Sequence, residues 1–135
     1  MTEALLDTSV VIAFADPREP TPDLTEFEAT HVSSLTWHEL TLGLHAARDI
    51  AEYRRRTQAL TTLRSVFGAG LAYDDVCTAA ADRLLARVVE RGGILCAHTF
   101  DRMIAATAIA NGMTLVTRNA ADLRGFDGLL QVVER

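Results

Sequence analysis

FDRMIAATAIANGMTLVT, residues 100–117, holds two structural elements and the corner between them. The first part carries apolar residues at helical spacing, and Asn111-Gly112 supplies a C-terminal stop. Ala105, Ala106 and Ala108 leave little side-chain bulk, so this helix can lie close against a sheet. MTLVT, at 113–117, is apolar on both faces, as a central strand of a parallel sheet must be.

Working outward, the same alternation recurs. Residues 3–7 read as a short buried strand, followed by a turn at Asp7-Thr8 and a short helix over Val10–Phe14 with Ser9 as its cap. Pro17 and Pro20 end that element, and DPREPTPD at 16–23 is a loop. HVSSL at 31–35 reads as a second strand, and TWHELTLGLHAAR after it places Leu40, Leu44 and Ala47 at helical spacing. A further helix over 49–67 sets Ile50, Tyr53, Leu60, Leu63 and Phe67 on one face, turns Arg54–Arg56 outward, and stops at Gly68 and Gly70. Residues 74–91 form another, capped by Asp74 or Asp75, with Val76, Ala80, Leu84 and Val88 along one stripe and Gly92-Gly93 at its end. LLQVV reads as a last strand. Strands alternating with helices, without a hairpin signal, specify an α/β class with a parallel sheet.

With 135 residues, the chain is expected to form one domain over 1–135. Hydrophobic residues make up 49% and charged residues 23%, an ordinary globular balance. No apolar run approaches the roughly 20 residues that span a bilayer, and the N-terminus lacks the features of a signal peptide, so a cytoplasmic location is expected. Cys77 and Cys96 show no paired metal-ligand spacing; zinc is not implied, and both are expected to be buried thiols. The net charge of −5 excludes nucleic-acid binding by bulk positive potential. All 13 basic residues are Arg, which excludes mechanisms that require a lysine.

The acids fall in a pattern. Asp7 closes the first strand, Glu39 opens the helix after the second, Asp101 opens the alanine-rich helix, and Asp122 follows MTLVT. In an open parallel sheet the crevice outside the strand carboxyl ends is where ligands bind. Like charges gathered there raise one another's pKa values, and a hard divalent cation such as Mg²⁺ or Mn²⁺ relieves the repulsion. Each acid also has an ordinary structural use. Thr36-Trp37-His38-Glu39 matches a capping box, Asp101 suits a helix dipole, Asn119-Ala120-Ala121-Asp122 has the form of a cap, and Asp7 can make an Asx-type turn. Their common location is what the separate uses leave unexplained.

LLDTSVVI, SLTWHEL and FDRMIAATAIANGMTLVTRNAADL resemble the three signature blocks of PIN-domain ribonucleases, especially the VapC-type toxins of bacterial toxin–antitoxin pairs. The resemblance covers nearly the whole chain. It implies a Rossmann-like three-layer α/β/α sandwich around a parallel sheet. It also implies an endoribonuclease that cuts single-stranded or loop RNA with Mg²⁺ or Mn²⁺, leaving a 5′-phosphate and a 3′-hydroxyl. By motif, Asp7, Glu39 and Asp101 match the first three acids. At the fourth position this chain has Asn119, with Asp122 three residues further on, so both stand as alternatives there. CAHTF before Asp101 is bulkier than the matching stretch of relatives. Thr8, Ser9 and Thr117 become candidates for orienting a carboxylate, and Arg118 and Arg102 for holding substrate phosphates. A cognate VapB-type antitoxin is implied, docked across the helices at 36–66 with an Arg in the acid pocket, as is a homodimer.

Rival readings fail on particular residues. A receiver domain needs paired acids after the first strand and a lysine after the last. A haloacid-dehalogenase-type phosphatase needs D-x-D-x-T, where this chain has Ser9 in place of the second Asp. The remaining alternative is a catalytically silent PIN-fold module that binds RNA or protein. Aromatic residues are only 6%, without the interleaved basic and aromatic stripe of a stacking-based RNA binder. Trp37 and Tyr53 therefore read as packing residues or partner contacts. His38, beside Glu39, need not face the acids, because neighbours on a helix point in different directions.

Overall fold

The computed structural model describes residues 2–135. In chain order the elements are β1 (Glu3–Leu6), α1 (Thr8–Ala15), β2 (Ala29–Val32), α2 (Ser34–His45), α3 (Ile50–Phe67), α4 (Asp75–Glu90), α5 (Thr99–Ala110), β3 (Thr114–Thr117), a short 3-10 helix (Ala120–Leu123) and β4 (Val132–Glu134). The strands form one sheet in the order β2-β1-β3-β4, with every pairing parallel. Leu5 sits opposite His31 on one side and Leu115 on the other. Strand order reverses between β1 and β3, so the crevice expected at such a switch point opens beyond Leu6 and Thr117.

Both faces of the sheet are covered. Leu5 and Leu115 join Leu84 and Val88 of α4, Ile104, Ala105 and Ala108 of α5, and Phe126. Ala4, Leu6 and Val116 point the other way, into a second core with Val10 and Val11 of α1, Trp37 of α2 and Leu63 of α3. The strand period of two thus splits the apolar run between two cores, which is the expected α/β/α sandwich. Leu5, Leu6, Leu84 and Ile104 have no exposed surface; each contributes about 1.5–3 kcal/mol by leaving water. Ala105, Ala106 and Ala108 are fully buried as well, which lets α5 approach the sheet without intervening bulk.

Local details differ from the sequence expectations. Helix α1 begins at Thr8, and its cap is Asp7, not Ser9: the Asp7 side chain accepts from the Thr8 N–H. Strand β2 occupies 29–32, and α2 starts two residues before Thr36, capped by Ser33. The Thr36–Glu39 capping box therefore does not form; Thr36 is a fully buried helical residue, and Glu39 lies in the second turn. On α4 the buried stripe passes through Cys77, while Val76 is 61% exposed. Cys77 is buried as expected, but Cys96 is exposed. Ile50 and Tyr53, at the start of α3, face solvent, and Glu52 is the withdrawn residue there. The last strand is shifted to Val132–Glu134. Gly70 is needed for close approach, since a Cβ there would meet the Ser34 nitrogen at 2.5 Å. That approach lets Leu71 bridge Ser33 at the edge of the sheet.

Candidate active site

Asp7 stands where β1 gives way to α1, and it is only 8% exposed. The Asp7 N–H still belongs to the sheet, donating to the Val116 carbonyl at 2.8 Å. Its carboxylate is held by neutral donors. The Thr8 N–H reaches Oδ1 at 2.8 Å, while Ser9 Oγ and Thr117 Oγ1 donate to Oδ2 at 3.0 and 2.8 Å. These bonds repay part of the desolvation cost of a buried carboxylate without neutralising it.

The supporting hydroxyls are fixed in turn. Thr117 Oγ1 accepts from the Asn119 N–H at 3.1 Å, and Ser9 Oγ accepts from the Arg118 N–H at 3.2 Å. Thr8 Oγ1 donates to Glu39 Oε1 at 2.8 Å and lies 3.0 Å from Thr36 Oγ1. Thr36 was missed from sequence, because its role becomes visible only once α2 is seen to start at Ser34. Thr8 thus links the two acids, its N–H on Asp7 and its hydroxyl on Glu39.

Asp101 lies in the first turn of α5, half-exposed, with His98 Nδ1 3.8 Å from its Oδ2. Asp122 lies on the 3-10 helix, and its side chain shares one small cavity with Asp7, Asp101, Thr117 and Asn119. That cavity holds about 20 Å³, room for about one water. Asn119 is exposed and makes no capping bond, so the expected cap there is absent. Glu39 does not line this cavity; it adjoins it across Thr8.

Electrostatics register the crowding. Burial, followed by the negative charges of Asp101 and Asp7, pushes the Glu39 carboxyl above the usual range, against the Thr8 hydrogen bond, which lowers it. Burial, then repulsion from Asp7, raises Asp101 too; His98 opposes this and Asp122 adds to it. Among the described residues no arginine forms a salt bridge with Asp7, Glu39, Asp101 or Asp122. Arg102 donates to the carbonyls of Ile94 and Leu95 at 2.7 and 3.1 Å, tying down the α4–α5 loop instead of standing free for a phosphate. Arg118 pairs with Glu19 at 3.0 Å and is partly exposed.

The donor set suits a hard cation: carboxylates, hydroxyls and an amide, with excess negative charge. Among the described residues no three His, Cys, Asp or Glu side chains form a ready cage around one point. Such a cage is what structural Zn²⁺ or Ca²⁺ requires. Mg²⁺ instead takes one or two carboxylates and keeps several waters; half-exposed Asp101 and exposed Asp122 leave the mouth of the cavity open to solvent for them.

Fold and site together define a small open-sheet α/β domain whose switch-point crevice is walled by uncompensated acids. The PIN-domain family model matches residues 4–128, and the chain belongs to that family. A plasmid stability protein, StbB, from Pseudomonas syringae pv. tomato is 33% identical over 124 residues, covering 85% of this chain and 86% of its own. The toxin–antitoxin complex from Klebsiella pneumoniae contains a chain 26% identical, with a TM-score of 0.64 and coverage of 96% here and 95% there. VapBC2 from Rickettsia felis, bound to a promoter DNA fragment, superposes with a TM-score of 0.80 over 99% of both chains. At 20% identity that last match speaks to the fold.

Proposed function

We propose that the protein is a divalent-metal-dependent endoribonuclease and the toxin of a toxin–antitoxin pair. The observation that carries this reading is the gathering of Asp7, Glu39, Asp101 and Asp122, from distant segments, around one crevice where no described arginine pairs with them. A stable fold does not need four mutually repelling acids at one sheet edge, whereas a metal-dependent phosphodiesterase uses them to hold its ion.

In this reading Asp7 and Asp101 hold Mg²⁺ or Mn²⁺, with Asp122 or Asn119 completing the site and Glu39 adjoining it. The bound ion supplies Lewis acidity and admits an anionic phosphodiester to an acidic pocket. The protein supplies orientation. Thr8, Ser9 and Thr117 fix the Asp7 carboxylate. Glu39 is held at Oε1 by Thr8, leaving Oε2 to accept a proton from an attacking water. Its raised proton affinity suits that role. Arg118, although paired with Glu19, retains guanidinium donors for a substrate phosphate.

A partner surface accompanies the site. An apolar groove of about 500 Å³ runs between α1, α2 and α3, with Ile12, Leu40, Leu60 and Leu63 along its floor and Arg18 and Arg56 at its rim. It matches the segment over which a cognate VapB-type antitoxin would lie, and the names of the structural neighbours, several of them VapBC complexes, agree with such a partner. A homodimer and a cytoplasmic location belong to the same proposal; no described helix is long and apolar enough to cross a membrane.

The test is cleavage of total RNA by the purified, partner-free protein during a Mn²⁺ titration, with Asp7→Asn alongside. Metal-dependent cuts present with the natural chain and absent with the variant support the nuclease. Metal binding without cleavage would leave the silent binding module in its place.

A further inference from the structure

The chain has five phenylalanines. Phe126 belongs to one core, and Phe14, Phe27 and Phe67 pack against the other. Phe100 joins neither. It is the residue before Asp101, half-buried at the N-terminus of α5, and its ring meets that of His38, the residue before Glu39 on α2. The ring centroids are 5.8 Å apart and the planes open at 41°. His38 is exposed. The two rings therefore form an open wedge from separate elements, each next in sequence to an acid of the crevice.

Beyond joining α2 to α5, this wedge takes no part in either core. A phenylalanine contributes to folding by leaving water among core side chains, yet Phe100 meets an exposed ring instead. Tilted aromatic surface beside an anionic catalytic crevice is a place where a flat, partly polar ring can stack. We infer that His38 and Phe100 form a subsite for one unpaired nucleobase of the RNA, adjoining the phosphodiester to be cut.

The inference rests on the nuclease reading and sharpens it. A base inside a duplex has both faces covered, so a stacking wedge accepts only single-stranded or looped RNA. Stacking also tolerates any base, since every base presents a π-face. The wedge thus selects for unpaired structure beside the cut more than for sequence. It also adds affinity that a protein with a net charge of −5 does not gain from bulk electrostatics.

The experiment uses uridine octamers carrying a single 2-aminopurine at successive positions, bound to the Asp7→Asn protein so that nothing is cut. Stacking quenches 2-aminopurine, a signal that a merely structural role would not produce. At one position the fluorescence should fall on binding. In the same background, Phe100→Ala should abolish the quench and weaken binding about tenfold, and Phe100→Trp should retain both. His38→Ala alters an exposed residue, so it decides the matter even if Phe100→Ala fails to fold. It should also remove the quench. Octamers that bind equally well to all these proteins with no quenched position would overturn the subsite. So would a loss of antitoxin binding on His38→Ala with RNA binding unchanged, which would give the wedge to the protein partner. No octamer binding by any of the proteins would overturn the RNA reading itself, a failure distinct from the other two.

Discussion

Glu39 and Glu52 lie on consecutive helices, both largely withdrawn from water, and their surroundings are opposite. Glu52 has cations of its own. The Arg48 N–H donates to Oε2 at 3.0 Å, the Arg48 side chain approaches the same oxygen at 3.4 Å, and Arg56 pairs with Oε1. Its carboxyl is held below the usual range, first by the Arg48 N–H. Glu39 has one neutral donor, Thr8, and its carboxyl is pushed up, first by burial and then by the negative charges of Asp101 and Asp7. An acid supplied with internal arginines completes the fold. One left with hydroxyls and other acids is poised for a cation from outside the chain.

The largest expected effect separates the two directly. Asp7→Asn, from the uncompensated group, should reduce the rate of RNA cleavage in Mg²⁺ on the order of 1,000-fold, because the electrostatic centre of the site is lost. Glu52→Gln should leave that rate essentially unchanged while lowering Tm. Similar losses of rate from both variants would erase the distinction between a structural and a functional acid.

The hydroxyls that hold Asp7 come next. Thr117→Val keeps the size of a buried, 1% exposed side chain but deletes the donor to Asp7 Oδ2. Groups that orient a ligand typically contribute 10- to 100-fold, so a loss of about that size is expected in apparent Mg²⁺ affinity measured through cleavage. Thr57→Val, on the exposed part of α3, bonds only to the Tyr53 carbonyl and should change neither rate nor affinity.

The same contrast shows what was legible in sequence. The parallel sheet could be read from MTLVT and its neighbours, because a strand buried on both faces has an unmistakable apolar run. Asp7, Asp101 and Asp122 could be placed at one edge because strand ends fix position whatever the exact helix boundaries. The start of α2 could not. Ser33 and Thr36 are both acceptable caps, and only the bridge from Ser33 to Leu71, enabled by the missing Cβ of Gly70, selects the earlier one. That choice moves Glu39 from the first turn to the second and buries the Thr36 hydroxyl against that of Thr8. The α3 stripe also misled, since Ile50 and Tyr53 fit its helical period yet lie beyond the region covered by the core. Phe100 escaped notice, and His38 was set aside on its helical position, because neither aromatic content nor helical period reveals two rings brought together by tertiary packing.

Metal binding should sharpen the contrast as stability. A ligand that binds only the folded state stabilises it by about 2.7 kcal/mol at a hundredfold excess over Kd. Mg²⁺ or Mn²⁺ should therefore raise the Tm of the natural chain, and of Glu52→Gln by the same increment. Asp101→Asn should lose most of the increment, because it removes one of the carboxylates held by the proposed ion. A Tm shift of equal size in Asp101→Asn would place the ion elsewhere.

The smallest effect is the pH dependence without divalent ions, and its sign is the informative part. Asp101 titrates higher in the folded chain than its ordinary value of 3.8, so the folded state binds more protons between those two values. Stability then rises as pH falls through the folded value and gains nothing further below about 3.8. Asp101→Asn should accordingly be the more stable protein at pH 7 and equal to the natural chain in strong acid. The gain is confined to a few degrees of Tm, because a side chain that is 44% exposed is screened by solvent. Glu52 runs the other way. Its folded value lies below the ordinary 4.5, so its contribution is present above 4.5 and disappears as pH falls through the folded value. Glu52→Gln should cost stability at pH 7 and none in strong acid. Thermal melts of both variants in EDTA, from neutral pH down to pH 3, should therefore show differences from the natural chain of opposite sign that converge on zero. Differences of the same sign would mean that the crevice acids already have a compensating charge within the fold.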